Sequence, residues 1–237
     1  MKGARALTPL EIQAVCTTFS GQFAIRNQTL FLVCANVGTR ITEALNLNVG
    51  DVLQNGEVVS VLYLRRQTVK GKNEGVALKL PSGTRNAFWR FIAWKREVGE
   101  RLGKRAPLFV SRQGGRLSRN QAHKNFKKAY EKIGLQGHVT THSPRKTYAK
   151  MVYQNSGNDL LVTQKALRHT SIENTLYYLE TISDDVYSAM PDFDFMSEGD
   201  ELHKTSPSKI IYLSEVALRR GRRESEKHAE DGKKQIS

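Results

Sequence analysis

Two arginines, two histidines and a tyrosine stand out by type and spacing. Arg40 lies in VGTRITEAL, His142 and Arg145 in THSPRKTYA, and His169 in ALRHTSIENT, with Tyr178 nine residues after His169. A guanidinium is a planar fork that grips anionic oxygens in pairs. An imidazole exchanges its proton near neutral pH, and a phenol of resting pKa about 10 becomes a nucleophile once a base or a positive field assists it. Lysines in the basic run Val69-Lys70-Gly71-Lys72-Asn73-Glu74 add proton donors. Other chemistries lack their usual signatures. No GxxxxGK[ST], GxGxxG, GxSxG or HExxH motif occurs, and no CxxC or His/Cys cluster suggests zinc.

Charge narrows the partner. The 237 residues carry 37 Lys and Arg against 23 Asp and Glu, a net +14. Residues 183–201 hold seven acids and no Lys or Arg, which leaves +21 for the rest of the chain. Such a field attracts phosphate backbones, and an anionic membrane or ribosomal RNA as well, so charge alone does not choose. The length suits one large domain or two small ones, and 39% hydrophobic residues can bury a core. Cys16 and Cys34 lie in apolar stretches, which predicts buried free thiols in a reducing compartment. The start has no apolar signal-peptide core, and the longest uncharged run, Asn27 to Thr39, is too short to cross a bilayer. A soluble intracellular protein is expected.

Positioning these groups requires a framework, which the sequence outlines. Thr8-Pro9-Leu10-Glu11 reads as a capping box with proline at the first helical position, so a helix starts at Pro9. A second apolar run from Ile25 to Val37 ends at Gly38, a left-handed cap. Strand character at Glu57–Leu64 and at Gly75–Leu80 predicts a small antiparallel sheet with a basic hairpin tip between them. Pro107–Val110 is a short strand or an extended connection, and Ser118-Arg119-Asn120-Gln121 offers a second capping box ahead of Ala122, Phe126, Ala129 and Ile133. Ser143-Pro144, Asp159 and Ser171 each start a short helix. After the acidic stretch, Ser206-Pro207 opens an apolar-faced segment to Leu218, followed by Arg219-Arg220-Gly221-Arg222-Arg223. The expected fold class is α+β, mainly helical with a small antiparallel sheet.

With these motifs in place, the chain resembles the tyrosine recombinases, the phage-integrase family of site-specific DNA recombinases. GTRITEALNL is similar to the family's first-arginine motif, and THSPRKTYA to its His-x-x-Arg box. LLVTQKALRHTSIENTLYYLE is similar to its closing stretch, where a histidine precedes the tyrosine by the same interval. The resemblance implies a catalytic domain over residues 1–190 and, over 191–237, an acidic linker and basic C-terminal tail. The tail helix then either packs on its own domain or is exchanged with a neighbouring subunit. The implied activity is cutting and rejoining double-stranded DNA recombination sites through a 3′-phosphotyrosine, without metal or cofactor, for integration, excision, inversion or resolution of mobile DNA. Self-association into a synaptic tetramer, accessory DNA-bending proteins and a cytoplasmic, nucleoid-associated location follow from the same likeness.

The resemblance further implies a role for each residue. Tyr178 is the nucleophile, Arg40 and Arg145 clamp the non-bridging oxygens, His142 is the base or proton shuttle, and His169 supports the phosphate. A hairpin lysine is the general acid, Lys72 ahead of Lys70. Backbone phosphates are expected to meet Lys70, Arg112, Arg116, Arg119, Lys124 and Arg168. Most of these belong to a basic stretch with Lys104, Arg105, Lys127 and Lys128, whose duller reading is a solvated face.

The chain also departs from the pattern. Pro144 stands where leucine is usual, Lys146 where histidine is common, and Arg168 where a glycine usually precedes the second histidine. Arg168 is expected at the phosphate site, as a DNA contact or a solvent-facing charge. Family members commonly carry a helical DNA-clamping domain ahead of the catalytic one, whereas a handful of residues precede the first helix here. A compact catalytic-domain-only recombinase or a fragment is expected, with weak DNA affinity alone. Taken singly, each residue also has a plain explanation. Arg40 pairs with Glu43 on a helix surface, His142 caps, His169 packs, and Tyr177 beside Tyr178 packs inward. A type IB topoisomerase and a non-catalytic architectural DNA-binding protein of the same fold are the rivals.

Overall fold

A computed structural model describes residues 3–65 and 75–179, all within a compact unit spanning Met1–Val186. Lys70 and Lys72, the expected domain boundary near 190, the acidic linker and the basic tail lie outside the described residues.

Helix α1 (Pro9–Thr18) begins as predicted: the Thr8 hydroxyl accepts from the Glu11 N–H at 3.1 Å, and the Glu11 carboxylate accepts from the Thr8 N–H at 2.8 Å. This reciprocal pair satisfies two donors that the first turn leaves open. Helix α2 (Ala24–Val37) is the spine, with Leu30, Phe31, Val33, Cys34 and Val37 all buried. It ends at Gly38, whose φ of 63° is the left-handed cap the sequence suggested. Two short helices follow, α3 (Ile41–Leu45) and α4 (Val49–Val52).

The expected sheet is divided in two. Strands β1 (Leu53–Gln54) and β2 (Glu57–Val58) form one antiparallel pair around an Asn55-Gly56 turn, with φ of 50° and 83° at those two residues. Strands β3 (Val61–Leu64) and β4 (Val76–Lys79) form the other, with Leu62 facing Leu78 and Leu64 facing Val76. The run read as one strand from Glu57 breaks at Val59-Ser60 because its two halves pair with different partners.

Helix α5 (Ser82–Glu97) carries no expectation from the sequence, because its start follows Pro81 with no side-chain cap. It buries Phe88, Phe91, Ile92 and Lys95 against α2 at helical spacing, and Phe91 stacks on Phe109 with ring centroids 5.4 Å apart. Pro107 and Val110 sit in isolated bridges, so that stretch is an extended connection. Helix α6 (Arg119–Lys132) has half of the expected capping box. The Ser118 hydroxyl accepts from the Gln121 N–H at 3.1 Å, whereas the Gln121 side chain turns to Asn125 at 2.8 Å. Phe126 of α6 meets Phe31 edge-on at 5.3 Å in the main core.

The closing helices are α7 (Ser143–Asn155), α8 (Leu160–Leu167) and α9 (Ile172–Leu179). Asp159 caps α8 by accepting from the Leu161 and Val162 N–H groups at 2.7 and 3.0 Å. Helix α7 lies along α2, and α7, α8 and α9 share a separate small core of Ala149, Leu167 and Leu179. The amino-terminal segment is tied to α7, the Leu7 N–H donating to the Thr147 hydroxyl at 2.7 Å.

Candidate active site

Gly38 turns the chain at the end of α2 and places Arg40, in extended conformation, at the start of α3. The Glu43 carboxylate receives the Arg40 N–H at 2.8 Å and the Arg40 guanidinium at 2.7 Å. Glu43 is 1% exposed and Arg40 26%, so the pair expected on a helix surface has its acid inside the protein and its base partly open to solvent. Burial alone would raise the Glu43 carboxyl. The Arg168 charge foremost, then the Arg40 N–H and guanidinium and the Arg145 charge, outweigh burial and hold it below the usual range.

Arg145 projects from the first turn of α7 into the interior. Its guanidinium donates to the carbonyls of Gly38 and Leu167, and its Nε has no protein partner. Burial first, then the charges of Arg40 and Arg168, bring its pKa down to about 10, with Tyr178 and Glu43 pulling the other way. It stays charged at neutral pH. His142 stands at the amino-terminal cap of α7, and its Nδ1 lies 3.1 Å from the Tyr178 hydroxyl. Although His142 reaches solvent, the protein around its ring, then Arg119, Arg145, Lys146 and Arg40, lower its pKa. A neutral imidazole results, able to accept the phenol's proton.

His169 follows the left-handed end of α8. Its Nδ1 is 3.1 Å from the hydroxyl of buried Thr175, and its Nε2 has no hydrogen bond among the described residues. Burial, then Arg145, Arg40 and Arg168, push its pKa down to about 4 against the pull of Glu43. Tyr178 stands on α9 against the small core. Its ring meets His169 edge-on at 4.9 Å, with the Arg145 guanidinium carbon 5.9 Å and the Lys146 Nζ 5.5 Å from the ring centre. A cleft of about 390 Å³ opens beside the phenol, lined in part by His142, Lys146, Tyr177 and Tyr178.

The structure therefore gathers Arg40, His142, Arg145, His169 and Tyr178. Two expectations are corrected. Arg168 is neither a surface charge nor placed to touch DNA: its side chain is 2% exposed and pairs with Glu43 at 2.8 Å, because the turn after α8 faces the start of α3. Tyr177 does not pack inward. It is 47% exposed, since Thr175 and Leu179, four residues apart, set the inner face of α9. Arg116 is exposed, and its guanidinium donates to the Leu45 and Leu47 carbonyls and the Asn48 side chain at 2.6–2.9 Å, which braces the loop after α3. Arg112, Arg119 and Lys124 are exposed, and Arg119 is near enough to His142 to affect its proton.

Sequence reasoning missed Thr175 and gave no role to Lys146, which donates to the Tyr177 carbonyl at 3.3 Å. A hydroxyl three residues before Tyr178 on the same helix was the signal for Thr175. Among the described residues no group of three or more His, Cys, Asp or Glu could hold a metal ion, and no helix is long and apolar enough to cross a membrane.

The model of the phage integrase family matches residues 5–183. Among curated proteins, the tyrosine recombinase XerD of Corynebacterium glutamicum is 29% identical over 160 residues, 68% of this chain and 50% of that protein. The tyrosine recombinase XerC of Proteus mirabilis is 31% identical over 159 residues, 65% of this chain and 47% of that protein. The chain thus spans about half the length of the curated relatives it matches. Among solved structures, the XerH recombinase bound to a palindromic difH substrate has a TM-score of 0.61 at 21% identity, covering 78% of this chain and 52% of that one. The XerA recombinase has the same TM-score at 20% identity, covering 80% of this chain and 66% of that one. These likenesses carry the fold, and with the family match over most of the described residues they place this chain in the phage integrase family of tyrosine recombinases, whose catalytic domain it contains.

Proposed function

We propose that this protein cuts and rejoins specific double-stranded DNA sites through a covalent tyrosyl intermediate. One observation carries the reading: the His142 Nδ1 lies 3.1 Å from the Tyr178 hydroxyl, with the Arg145 guanidinium carbon 5.9 Å from the Tyr178 ring centre and Arg40 near enough to act on both His142 and Arg145. In the proposed step His142 takes the phenol proton as the Tyr178 oxygen attacks a backbone phosphorus. The phosphorus–O5′ bond breaks, the 5′ oxygen takes a proton, and a 3′-phosphotyrosine forms. Charge growing on the non-bridging oxygens meets Arg40 and Arg145, with His169 donating from Nε2 in its protonated or Nε2-tautomer form. Attack by another 5′ hydroxyl reverses the step and rejoins strands with no external energy source. A lysine from the segment of Lys70 and Lys72 is the proposed donor to the 5′ oxygen.

Double-stranded recombination sites are the proposed substrate. The XerH structure holds a difH substrate, and the Tn1549 transposon integrase structure holds transposon right end DNA. A synaptic tetramer and accessory DNA-bending proteins are the proposed assembly, for which the net charge of +14 provides attraction to DNA but no specificity. The test uses labelled nicked duplexes tiled from the DNA beside the gene, incubated with protein and denatured in detergent. A protein–DNA adduct lost in Tyr178→Phe and kept in Tyr177→Phe supports the reading. An adduct that survives Tyr178→Phe refutes it.

A further inference from the structure

We infer that Arg168 is a positioning residue that holds Arg40 and Arg145 in working order, an inference that rests on the proposed phosphoryl-transfer chemistry. The backbone supplies the first sign. Arg168 ends α8 in the left-handed region, at φ 58° and ψ 39°, a conformation that glycine adopts freely and other residues seldom do. Glycine is what the recombinase pattern usually has there. An arginine is retained at a conformational cost, so its side chain must return something.

The contacts of that side chain say what. Its Nη2 donates to the Glu43 carboxylate at 2.8 Å and to the Gly38 carbonyl at 3.2 Å, and the group is nearly sealed from solvent. Glu43 is also the acid that receives both the backbone N–H and the guanidinium of Arg40. Gly38 O is also the acceptor for Arg145. Arg168 thus touches an anchor of both Arg40 and Arg145, from a point 125 residues along the chain from Glu43.

Charge balance gives the mechanism. Glu43 Oε2 is shared between Arg168 and the Arg40 N–H, and Oε1 holds one nitrogen of the Arg40 guanidinium. With one oxygen occupied by Arg168, the carboxylate grips Arg40 by a single guanidinium nitrogen, and the remaining Arg40 donors stay available to an anion. Without Arg168, the buried carboxylate would have Arg40 and Arg145 alone as neighbouring cations. It would then draw them inward and neutralise part of the field meant for phosphate. The expected deficit is one of geometry and charge at the reacting phosphate, not of DNA affinity.

The experiment compares the full chain with Arg168→Gly, which also removes the left-handed strain, and Arg168→Lys, which keeps a cation within reach of Glu43. Adduct formation on the nicked duplex is timed at saturating protein, alongside DNA affinity and melting temperature. Binding of inorganic phosphate is followed from the His142 and His169 ring signals. Arg168→Gly is expected to slow adduct formation about 10- to 100-fold with DNA affinity unchanged, the scale that an ångström of misplacement costs. It is expected to weaken phosphate binding about tenfold, and Arg168→Lys to recover most of both losses. Unchanged rate and phosphate affinity in Arg168→Gly would overturn the inference. So would losses that track the melting temperature and are not recovered by lysine, or a wild-type protein that binds no phosphate. A wild-type protein that binds phosphate yet forms no adduct would sink the recombinase reading alone, and the phosphate arm would still decide the role of Arg168.

Discussion

Replacing Glu43 with glutamine removes one negative charge from the interior and leaves the shape of the side chain almost unchanged. The carboxylate receives three donors, the Arg40 N–H at 2.8 Å, the Arg40 guanidinium at 2.7 Å and the Arg168 guanidinium at 2.8 Å. A carboxamide has a single oxygen, so its NH₂ must face at least one of those donors. Breaking a buried ion pair from one side costs about 3–5 kcal/mol. Arg40 keeps 26% of its side-chain surface in water, which favours the lower end of that range. At about 2–4 °C per kcal/mol for a domain of this size, Glu43→Gln should lower the melting temperature by on the order of 6–12 °C at pH 7. Circular dichroism melts, with urea titration to check that the transition is two-state, read the effect. The folded carboxyl lies below its unfolded value, so its stabilisation is present above the unfolded pKa and is lost as pH falls through the folded one. The gap between wild type and variant should therefore close on acidification. A drop of less than about 2 °C at pH 7, where about 6 °C or more is expected, would mean that Glu43 does not hold the two arginines, and the reasoning would fail.

Gly38→Ala should cost more than the roughly 1–2 kcal/mol of a left-handed alanine, because its Cβ would also meet the Tyr148 ring, and the urea midpoint reads the loss. The His169 ring should titrate near 4 by NMR in the folded protein. Between that value and the unfolded one the native state binds fewer protons, so His169 should make the fold less stable as pH falls through that window. Alanine at Arg112, Arg119 or Lys124 should each flatten the dependence of log DNA affinity on log salt by about 0.9 if that residue meets a phosphate, and an unchanged slope removes it from the interface. Phe126→Ala should cost about 3–5 kcal/mol in urea unfolding, since that ring meets Phe31 and Phe19 in the main core.

Local signals were legible in the sequence wherever a side chain answers its own backbone. Thr8 with Glu11, Gly38 and Asp159 mark helix ends because capping is decided within four residues. Helix α5 was not legible, since Pro81 and Ser82-Gly83 look like a turn and the burial of Phe88 and Phe91 is settled by α2. The break between β2 and β3 depends on which partner each half finds. The types and intervals of Arg40, His142, Arg145, His169 and Tyr178 single out groups that the fold brings near one another. Arg168 was misplaced because its partner Glu43 lies across the fold, and no local pattern distinguishes a buried arginine from an exposed one. Tyr177 was misplaced because the inner face of α9 is set by Thr175 and Leu179.

The phenol stands on a small foundation. Helix α8 has eight residues, too few to be stable in isolation, and among the described residues α7, α8 and α9 share a core of Ala149, Leu167 and Leu179 that is separate from the aromatic interior around α2. Local opening of α8 with α9 is expected to require less free energy than global unfolding, and the amides of α8 should exchange with deuterium before those of α2. Each opening carries Tyr178 away from His142 and Arg145 while the rest of the domain stays folded. On the proposed chemistry, how often Tyr178 is in place becomes a property of that small apolar core, adjustable without altering Arg40, His142, Arg145 or His169.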